Sequence, residues 1–233
     1  MNVALLGYGR MGKLIEKIAV ERQHRIVAIK DIDRPAIDYS QVELAIDFSS
    51  PEIAADNILE CLENGIPVVS GTTGWLERLE EVTEVCSKKE GALLYASNFS
   101  LGVNIFFALN TYLAQLMNHR KEYKVDIEEI HHIHKVDAPS GTAITLAEDI
   151  ISDSFYSEWK LNEGSGNTIL IHSKRAGEVP GTHSVRYTSP IDELEIRHTA
   201  HNRDGFALGA VIAAEWLRGK TGVFSMKDVL NLG

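Results

Sequence analysis

The chain has 233 residues, 44% of them hydrophobic, and a formal net charge of -10. That length suffices for one large domain or two small ones with real cores, and the acidic balance argues against nucleic acid or an anionic membrane as partner, since both call for a basic face. The two cysteines, Cys61 and Cys86, form neither a disulfide framework nor a zinc ribbon. With no apolar run of membrane-span length and no signal-peptide pattern at MNVALLGYGRMG, a cytoplasmic location is expected.

In the first hundred residues the runs NVALLG, RIVAIKD, ELAIDFS, IPVVSGTTG and ALLYASNFS are apolar throughout. Strands buried on both faces of a parallel sheet read this way. Helical patterns over 11–22, 51–64 and 75–89 alternate with them, which predicts an α/β fold that opens with a Rossmann-type, doubly wound parallel sheet. Ligands of such sheets bind outside the carboxyl ends of the strands. Here those ends carry Gly7, Asp31, Ser49, Gly71 and Ser97.

The turn GYGRMG matches G-x-G-x-x-G between the first strand and the first helix. Gly7 would make the tight turn, Gly9 would let backbone amides approach a pyrophosphate, and Gly12 would let the helix pack close to the sheet. The same residues fit a phosphate-loop pattern until Leu14, which stands where a Ser or Thr would reach magnesium, so a dinucleotide is favoured. Asp31, at the end of the second strand, is placed to take ribose hydroxyls, and there it would favour NADH; the neighbouring Lys30 would favour NADPH. Asp31 could equally open the turn in DIDRP.

After a helical pattern over 101–117 the periodicity changes. KVDIEEIHH, NTILIHSKR, THSVRYTS and DELEIRHTAH alternate, as strands of a mostly antiparallel or mixed sheet do, with one helix predicted over 142–151. The expected organisation is a dinucleotide-binding domain over 1–100 and an α+β domain over 101–203, to which the family resemblance drawn below assigns substrate binding and oligomerisation. The apolar tail helix within 204–233 is expected to pack back on the first domain. WKLNEGSGN is the expected mobile loop.

EIHHIHKVDAPSGTA gathers three histidines, a lysine and an aspartate before a turn of Pro, Ser and Gly. As a metal site His132, His134 and Asp137 offer an incomplete ligand set, and no metal is expected; a lone histidine such as His134 can also be a satisfied structural group. Acid chemistry is the third reading: histidine exchanges protons near neutral pH, and a nearby lysine supplies charge or a proton. Ser140 suits an N-cap, and Gly141 and Thr142 would offer free N–H groups to a carboxylate.

HHIHKVDAPSGTA strongly resembles the signature of the dihydrodipicolinate reductase family of lysine and diaminopimelate biosynthesis. GYGRMG, DFSSP, SGTTG, ASNFSLGVN, RAGEVPGTH and HTAHNRDGFALGAVIAAEWL follow the same family's order over nearly the whole chain. The resemblance implies reduction of a cyclic imine dicarboxylate by NADH or NADPH, with His131 and Lys135 as proton-transfer groups. It further implies substrate contacts from His132, Gly141 and Thr142. Gly7, Tyr8, Gly9, Arg10, Met11 and Gly12 would hold the pyrophosphate and Asp31 the ribose. Phe48 and Ser49 would lie by the dinucleotide, while Gly71, Thr72, Thr73, Ala96, Ser97, Asn98 and Phe99 would line the nicotinamide side. Arg203 would reach the cofactor, and a homotetramer would form through the second domain's sheet. The chain departs from the family in a compact glycine turn and first domain, and in Ile130, Ile133 and Thr199, where alanine, arginine and arginine are common. Two other classes share part of the pattern: a different nicotinamide-dependent imine or amino-acid dehydrogenase, and a non-catalytic dinucleotide sensor, neither of which calls for HHIHKVDAPSGT.

Overall fold

The structure, a computed structural model, describes residues 1–33, 36–164 and 166–232. The chain divides into two compact units, Met1–Leu101 together with the segment from Asp204 onward, and Gly102–Arg203. Arg34 and Pro35 of the DIDRP turn, Ser165 of WKLNEGSGN and the terminal Gly233 lie outside the described residues.

In the first unit β1 (Asn2–Leu6), β2 (Arg25–Lys30), β3 (Leu44–Asp47), β4 (Val68–Ser70), β5 (Ala92–Tyr95) and β11 (Gly222–Phe224) form one sheet in the order β11-β5-β4-β3-β1-β2. Every pairing in it is parallel. Successive strand residues point to opposite faces. Val3 and Leu5 therefore pack with α1 (Arg10–Glu21) and α6 (Asp204–Leu217), whereas Ala4 and Leu6 pack with α2 (Pro51–Glu63) and α3 (Leu79–Lys88). Both faces are covered, which is why the strands read as unbroken apolar runs. Each fully buried aliphatic contributes about 1.5–3 kcal/mol. The strand order reverses direction between β1 and β3, so the carboxyl ends of those two strands bound a topological switch point.

The second unit contains α4 (Leu101–Met117, whose first residue falls in the first unit), β6 (Lys124–His131), α5 (Gly141–Ser152), β7 (Glu158–Leu161), β8 (Thr168–Arg175), β9 (Gly181–Thr188) and β10 (Glu193–Ala200). Its sheet runs β10-β9-β6-β8-β7. β6 alternates between exposed and buried positions, with Val125, Ile127, Glu129 and His131 on the buried face. Val125 and Ile127 join a core that includes Leu146 and Ala147 of α5 and Phe106 and Leu113 of α4. The opposite side of α4 exposes Ile105, Leu109, Tyr112 and Leu116.

The second sheet is mixed, one of the two forms expected: β10/β9 and β9/β6 are antiparallel, and β6/β8 and β8/β7 are parallel. The structure corrects other expectations. Part of WKLNEGSGN is not loop, because Trp159 to Leu161 belong to edge strand β7, paired with β8; the chain leaves it through Asn162 at a left-handed φ of 62°. The helix expected over 75–89 begins with a 3-10 turn, Leu76–Arg78, since the buried Trp75 donates its indole N–H to the Thr72 carbonyl at 2.9 Å and holds the chain in a turn. β6 stops at His131, one residue short of the KVDIEEIHH pattern, so His132 and His134 both lie in the loop after the strand. After α6 the chain adds β11 and a short α7 (Met226–Leu230), started by a Ser225–Asp228 capping box. Among the described residues no helix is long and apolar enough to cross a membrane.

Candidate active site

In the first unit the glycine turn joins β1 to α1 at the switch point. Gly7 sits at φ 90°, and a Cβ there would fall 2.3 Å from the Phe48 carbonyl oxygen; one on Gly12 would fall 2.4 Å from the Gly7 oxygen. These two glycines are required by the turn's own packing. Gly9 differs, because a Cβ on it would meet nothing within 4 Å. It is the N-cap of α1, with no side-chain cap and no acid in the first turn, so the first amides of the helix remain available to an anion.

The facing wall comes from the ends of β3 and β4. A cavity of about 350 Å³ lies among Gly9, Arg10, Met11, Phe48, Ser49, Gly71, Thr72 and Thr73. A second, of about 500 Å³, shares Gly9, Phe48 and Ser49 and extends past Tyr8 to Lys30, Asp31 and Ile32. Tyr8 donates its hydroxyl to Glu16. Lys30 pairs with Glu60, and Asp31 is exposed beyond β2. Gly71 is small because the Phe48 ring occupies the space where its Cβ would be, 2.2 Å away.

Asp47, the last residue of β3, organises this wall and was not singled out by sequence reasoning. It is fully buried. Its carboxylate accepts from Ser49 Oγ at 2.6 Å, Thr72 Oγ1 at 2.7 Å, Ser70 Oγ at 2.9 Å and Asn57 Nδ2 at 3.3 Å. Ser49 N in turn donates to Thr72 Oγ1 at 2.9 Å. One side chain thus ties the loop after β3 to the loop after β4. Burial pushes its carboxyl upward, against the opposing hydrogen bonds from Ser49, Thr72, Ser70 and Asn57.

Beyond β5, Ala96 is half-buried and Ser97 exposed. Asn98 Oδ1 accepts from Ser100 N at 2.9 Å, an Asx-type turn. Phe99 is only 2% exposed; its ring centroid lies 5.7 Å from that of Phe48. It therefore backs the cavity wall instead of facing it. Gly209 of α6 packs on the Phe99 carbonyl, so close that a Cβ would lie 1.7 Å from it.

In the second unit the chemistry collects at the end of β6. The register sets Arg175 of β8 beside His131 and His183 of β9 beside Glu129. Glu129 is fully buried, and its two oxygens have different partners: His131 Nδ1 on one, Arg175 Nη1 at 2.9 Å on the other. Burial pushes this carboxyl up, but hydrogen bonds led by that of His131 outweigh it and hold Glu129 at about 2. An ionised carboxylate is acceptor only, so His131 carries its proton on Nδ1. Nε2 is left facing Gly181, where a Cβ would come within 3.1 Å. The His183 ring lies 5.0 Å from that of His131. Burial, helped by the charges of His131, His198 and Lys135, takes His183 down to about 3. His183 is thus neutral, with Nε2 2.9 Å from Ser140 Oγ.

Ser140 caps α5, accepting from Ala143 N at 3.3 Å. Gly141 and Thr142 occupy the first turn, where N–H groups have no intrahelical partner; the space around Gly141 is open. Lys135 Nζ donates to the Asp137 carboxylate at 2.7 and 2.8 Å. That bond, more than burial opposes it, holds the Asp137 carboxyl below the usual range. His132 is half-buried with a shielded Nδ1 that has no partner among the described residues. His134 is exposed and lies 3.4 Å from Glu178. Arg203 is exposed in the turn before α6.

Glu129, Arg175 and His183 were therefore missed as functional candidates. Glu129, His131 and His183 offer ligand atoms within 4.8 Å of one another, a spacing that suits a cation. Arg175 already sets a guanidinium on that carboxylate, so the cluster reads as proton-handling chemistry.

Two family models cover the chain, "Dihydrodipicolinate reductase, N-terminus" over residues 1–99 and "Dihydrodipicolinate reductase, C-terminus" over residues 102–230. A 4-hydroxy-tetrahydrodipicolinate reductase of Christiangramia forsetii is 55% identical over 99% of this chain and 98% of its own length. One from Neisseria meningitidis serogroup B is 36% identical over 88% of this chain and 78% of its own. Among solved structures, a dipicolinate-bound dihydrodipicolinate reductase from Paenisporosarcina sp. TG-14 shares the fold with a TM-score of 0.77 at 24% identity, over 97% of both chains. The chain belongs to the dihydrodipicolinate reductase family and is an oxidoreductase.

Proposed function

We propose that the protein reduces 4-hydroxy-tetrahydrodipicolinate to tetrahydrodipicolinate, with loss of water, in lysine and diaminopimelate biosynthesis. The observation that carries this reading is the linkage of a buried proton-handling histidine to an open helix start: His131 stacks edge-on against His183, which meets the α5 cap Ser140. Acid chemistry and a carboxylate cradle thus share one short segment, as a dicarboxylic imine requires.

The first unit fits a dinucleotide, since the open space at Gly9 and the uncapped α1 amides suit a pyrophosphate. Gly7, Tyr8, Arg10, Met11 and Gly12 complete that turn, and Asp31 would meet the ribose. Phe48, Ser49, Gly71, Thr72, Thr73, Ala96, Ser97, Asn98, Phe99 and Arg203 keep the cofactor roles implied by the resemblance, Phe99 through support of the Phe48 ring. A bound reduced nicotinamide supplies the hydride. In the second unit Gly141 and Thr142 hold a substrate carboxylate through their N–H groups, and the half-buried His132 keeps the substrate contact implied by the resemblance. Charge that develops on the ring nitrogen and C3 of the substrate must be met by a proton. His131, through Nε2, and Lys135 supply it, and Lys135 adds the positive charge that an acidic protein otherwise lacks at this point.

Lys30 spends its charge on Glu60, so the protein is expected to accept NADH as well as NADPH. The sheet face turned away from α4 and α5 carries paired charges such as Asp126 with Arg186 and Glu128 with Lys174. That face supports assembly as a cytoplasmic homotetramer, and the exposed aliphatics of α4 favour self-association of some kind. Sedimentation analysis tests the assembly: a monomer at micromolar concentration rejects it.

The reaction is tested by adding freshly generated hydroxy-tetrahydrodipicolinate with NADH or NADPH and following loss of reduced-nicotinamide absorbance. Substrate-dependent oxidation is the expected result. Binding of dinucleotide without turnover would overturn the proposal in favour of a sensor, and turnover of other imino acids alone would make it a different dehydrogenase.

A further inference from the structure

We infer that Glu129 and Arg175 form a positioning pair, which fixes the tautomer of His131 and anchors the loop that carries Lys135. The inference rests on the proton role proposed for His131. Neither residue is itself a catalytic group; both act through their neighbours.

The argument starts from cost. A carboxylate with no exposed surface is expensive to ionise unless it is paired and hydrogen-bonded. Here its two oxygens face different elements, one taking the His131 Nδ1–H and the other the Arg175 guanidinium at 2.9 Å. A purely structural pair would need only the guanidinium. Arg175 also has a second set of bonds: Nη2 donates to the Asp137 carbonyl at 2.7 Å and Nε to the Lys135 carbonyl at 3.3 Å. One carboxylate therefore connects the imidazole to the backbone on either side of the lysine's loop.

Two consequences follow. With Nδ1 committed to an anion, Nε2 is the nitrogen left to exchange a proton with substrate, so the pair decides which atom does the chemistry. The guanidinium that completes the pair also holds the Lys135 and Asp137 carbonyls, so the same carboxylate that orients the imidazole places the backbone of the second proton-transfer group. The charged and titratable groups that face this ring are Arg175 from β8, His183 and, farther off, His198 from β9 and β10, and Lys135 from the loop. Among the described residues the Asp137 carboxylate is also close by but is bonded to Lys135, so Glu129 is the anion bonded to the ring itself.

The test combines a spectroscopic and a kinetic readout. In the native enzyme, histidine ¹⁵N NMR should report His131 protonated on Nδ1 when neutral; the opposite tautomer overturns the inference without reference to activity. Glu129→Gln preserves shape and removes charge. It should lower kcat about 100-fold with KM for the dinucleotide within about twofold, and let the ¹⁵N signals of His131 report loss of the single Nδ1–H tautomer. Glu129→Asp should recover part of the rate. If Glu129→Gln changes only thermal stability, the pair is structural and the inference fails. His131→Gln separates this from the underlying reading: should that variant keep native turnover, the proton role of His131 itself is wrong.

Discussion

Asp47 and Glu129 are both fully buried carboxylates at or near the carboxyl end of a strand, one in each unit, and their surroundings differ in kind. Asp47 is surrounded by three hydroxyls and an amide, with no cation bonded to it among the described residues, and burial raises its carboxyl. Glu129 is bonded to a guanidinium and an imidazole and is held at about 2. Neutral donors suffice where a carboxylate only ties two loops together. A charged partner appears where the carboxylate must remain an anion so that a neighbour can keep its proton. The same contrast holds for the walls around them: the first unit offers backbone amides and empty space at Gly9, the second offers charged side chains.

If Glu129 serves its neighbour's proton, removing the neighbour should cost turnover more than anything else. His131→Gln is expected to lower kcat by about 10²–10⁴-fold, the usual contribution of a positioned acid or base, with dinucleotide affinity nearly unchanged. Asp47→Asn should do the reverse, raising KM for the dinucleotide severalfold while kcat at saturation stays near native. Steady-state kinetics with both substrates varied checks the pair, and a similar kcat loss in both variants would erase the distinction between them.

Stability should separate the two carboxylates next. Arg175→Ala strands the Glu129 charge, at a cost of about 3 kcal/mol, the lower end of the range for breaking a buried pair because Arg175 is itself 21% exposed. Urea unfolding of the two proteins at neutral pH measures it. The pH dependence has opposite sign at the two sites. Glu129 is depressed, so its contribution is present above the unfolded carboxyl value of about 4.3 and is lost as pH falls toward about 2. Asp47 is raised, so its contribution is greatest below its unfolded value and is lost as pH rises through the folded one. Asp47→Asn should therefore flatten the decline in stability on going from about pH 4 upward, and a steeper decline in the variant would contradict this assignment.

Much of this contrast was legible in the chain, and some of it was not. The unbroken apolar runs of β1, β3 and β4 and the G-x-G-x-x-G turn announced a sheet covered on both faces with an anion site at its edge. Glu129 was readable too: in KVDIEEIH the period-2 alternation puts it on the same face as Val125, Ile127 and His131, and an acid on a core-facing position needs a partner. Extending that strand by one residue drew notice to His132 and His134 instead. Arg175 and His183 are the two ends of the RAGEVPGTH stretch, but nothing local placed them beside Glu129, because that follows from β8 pairing parallel and β9 antiparallel to β6, and register between distant strands is not written in local spacing. The three-residue β11, opened by a glycine, is too short for any periodicity, though Ser225 and Asp228 after it did carry a capping-box signature.

The smallest effect sharpens the contrast between the walls. If the first unit binds its anion through backbone amides, the residue that matters is one whose side chain is absent for the ligand's sake and not for the fold's. Gly7 and Gly12 fail that test, since a Cβ on either would collide with main chain at 2.3 and 2.4 Å, and alanine there should impair folding. Gly9 passes it, having open space around its missing Cβ and no left-handed φ. Gly9→Ala should leave the melting temperature within about 1–2 °C of native, as expected for a substitution of a few tenths of a kcal/mol. It should weaken NADH binding about tenfold, or 1.4 kcal/mol, because a methyl group intrudes where the pyrophosphate approaches the α1 amides. Calorimetric titration of the folded variant reads the affinity directly. Unchanged binding would mean that the dinucleotide does not approach over Gly9, and the anion site would then have to be sought elsewhere along the switch point.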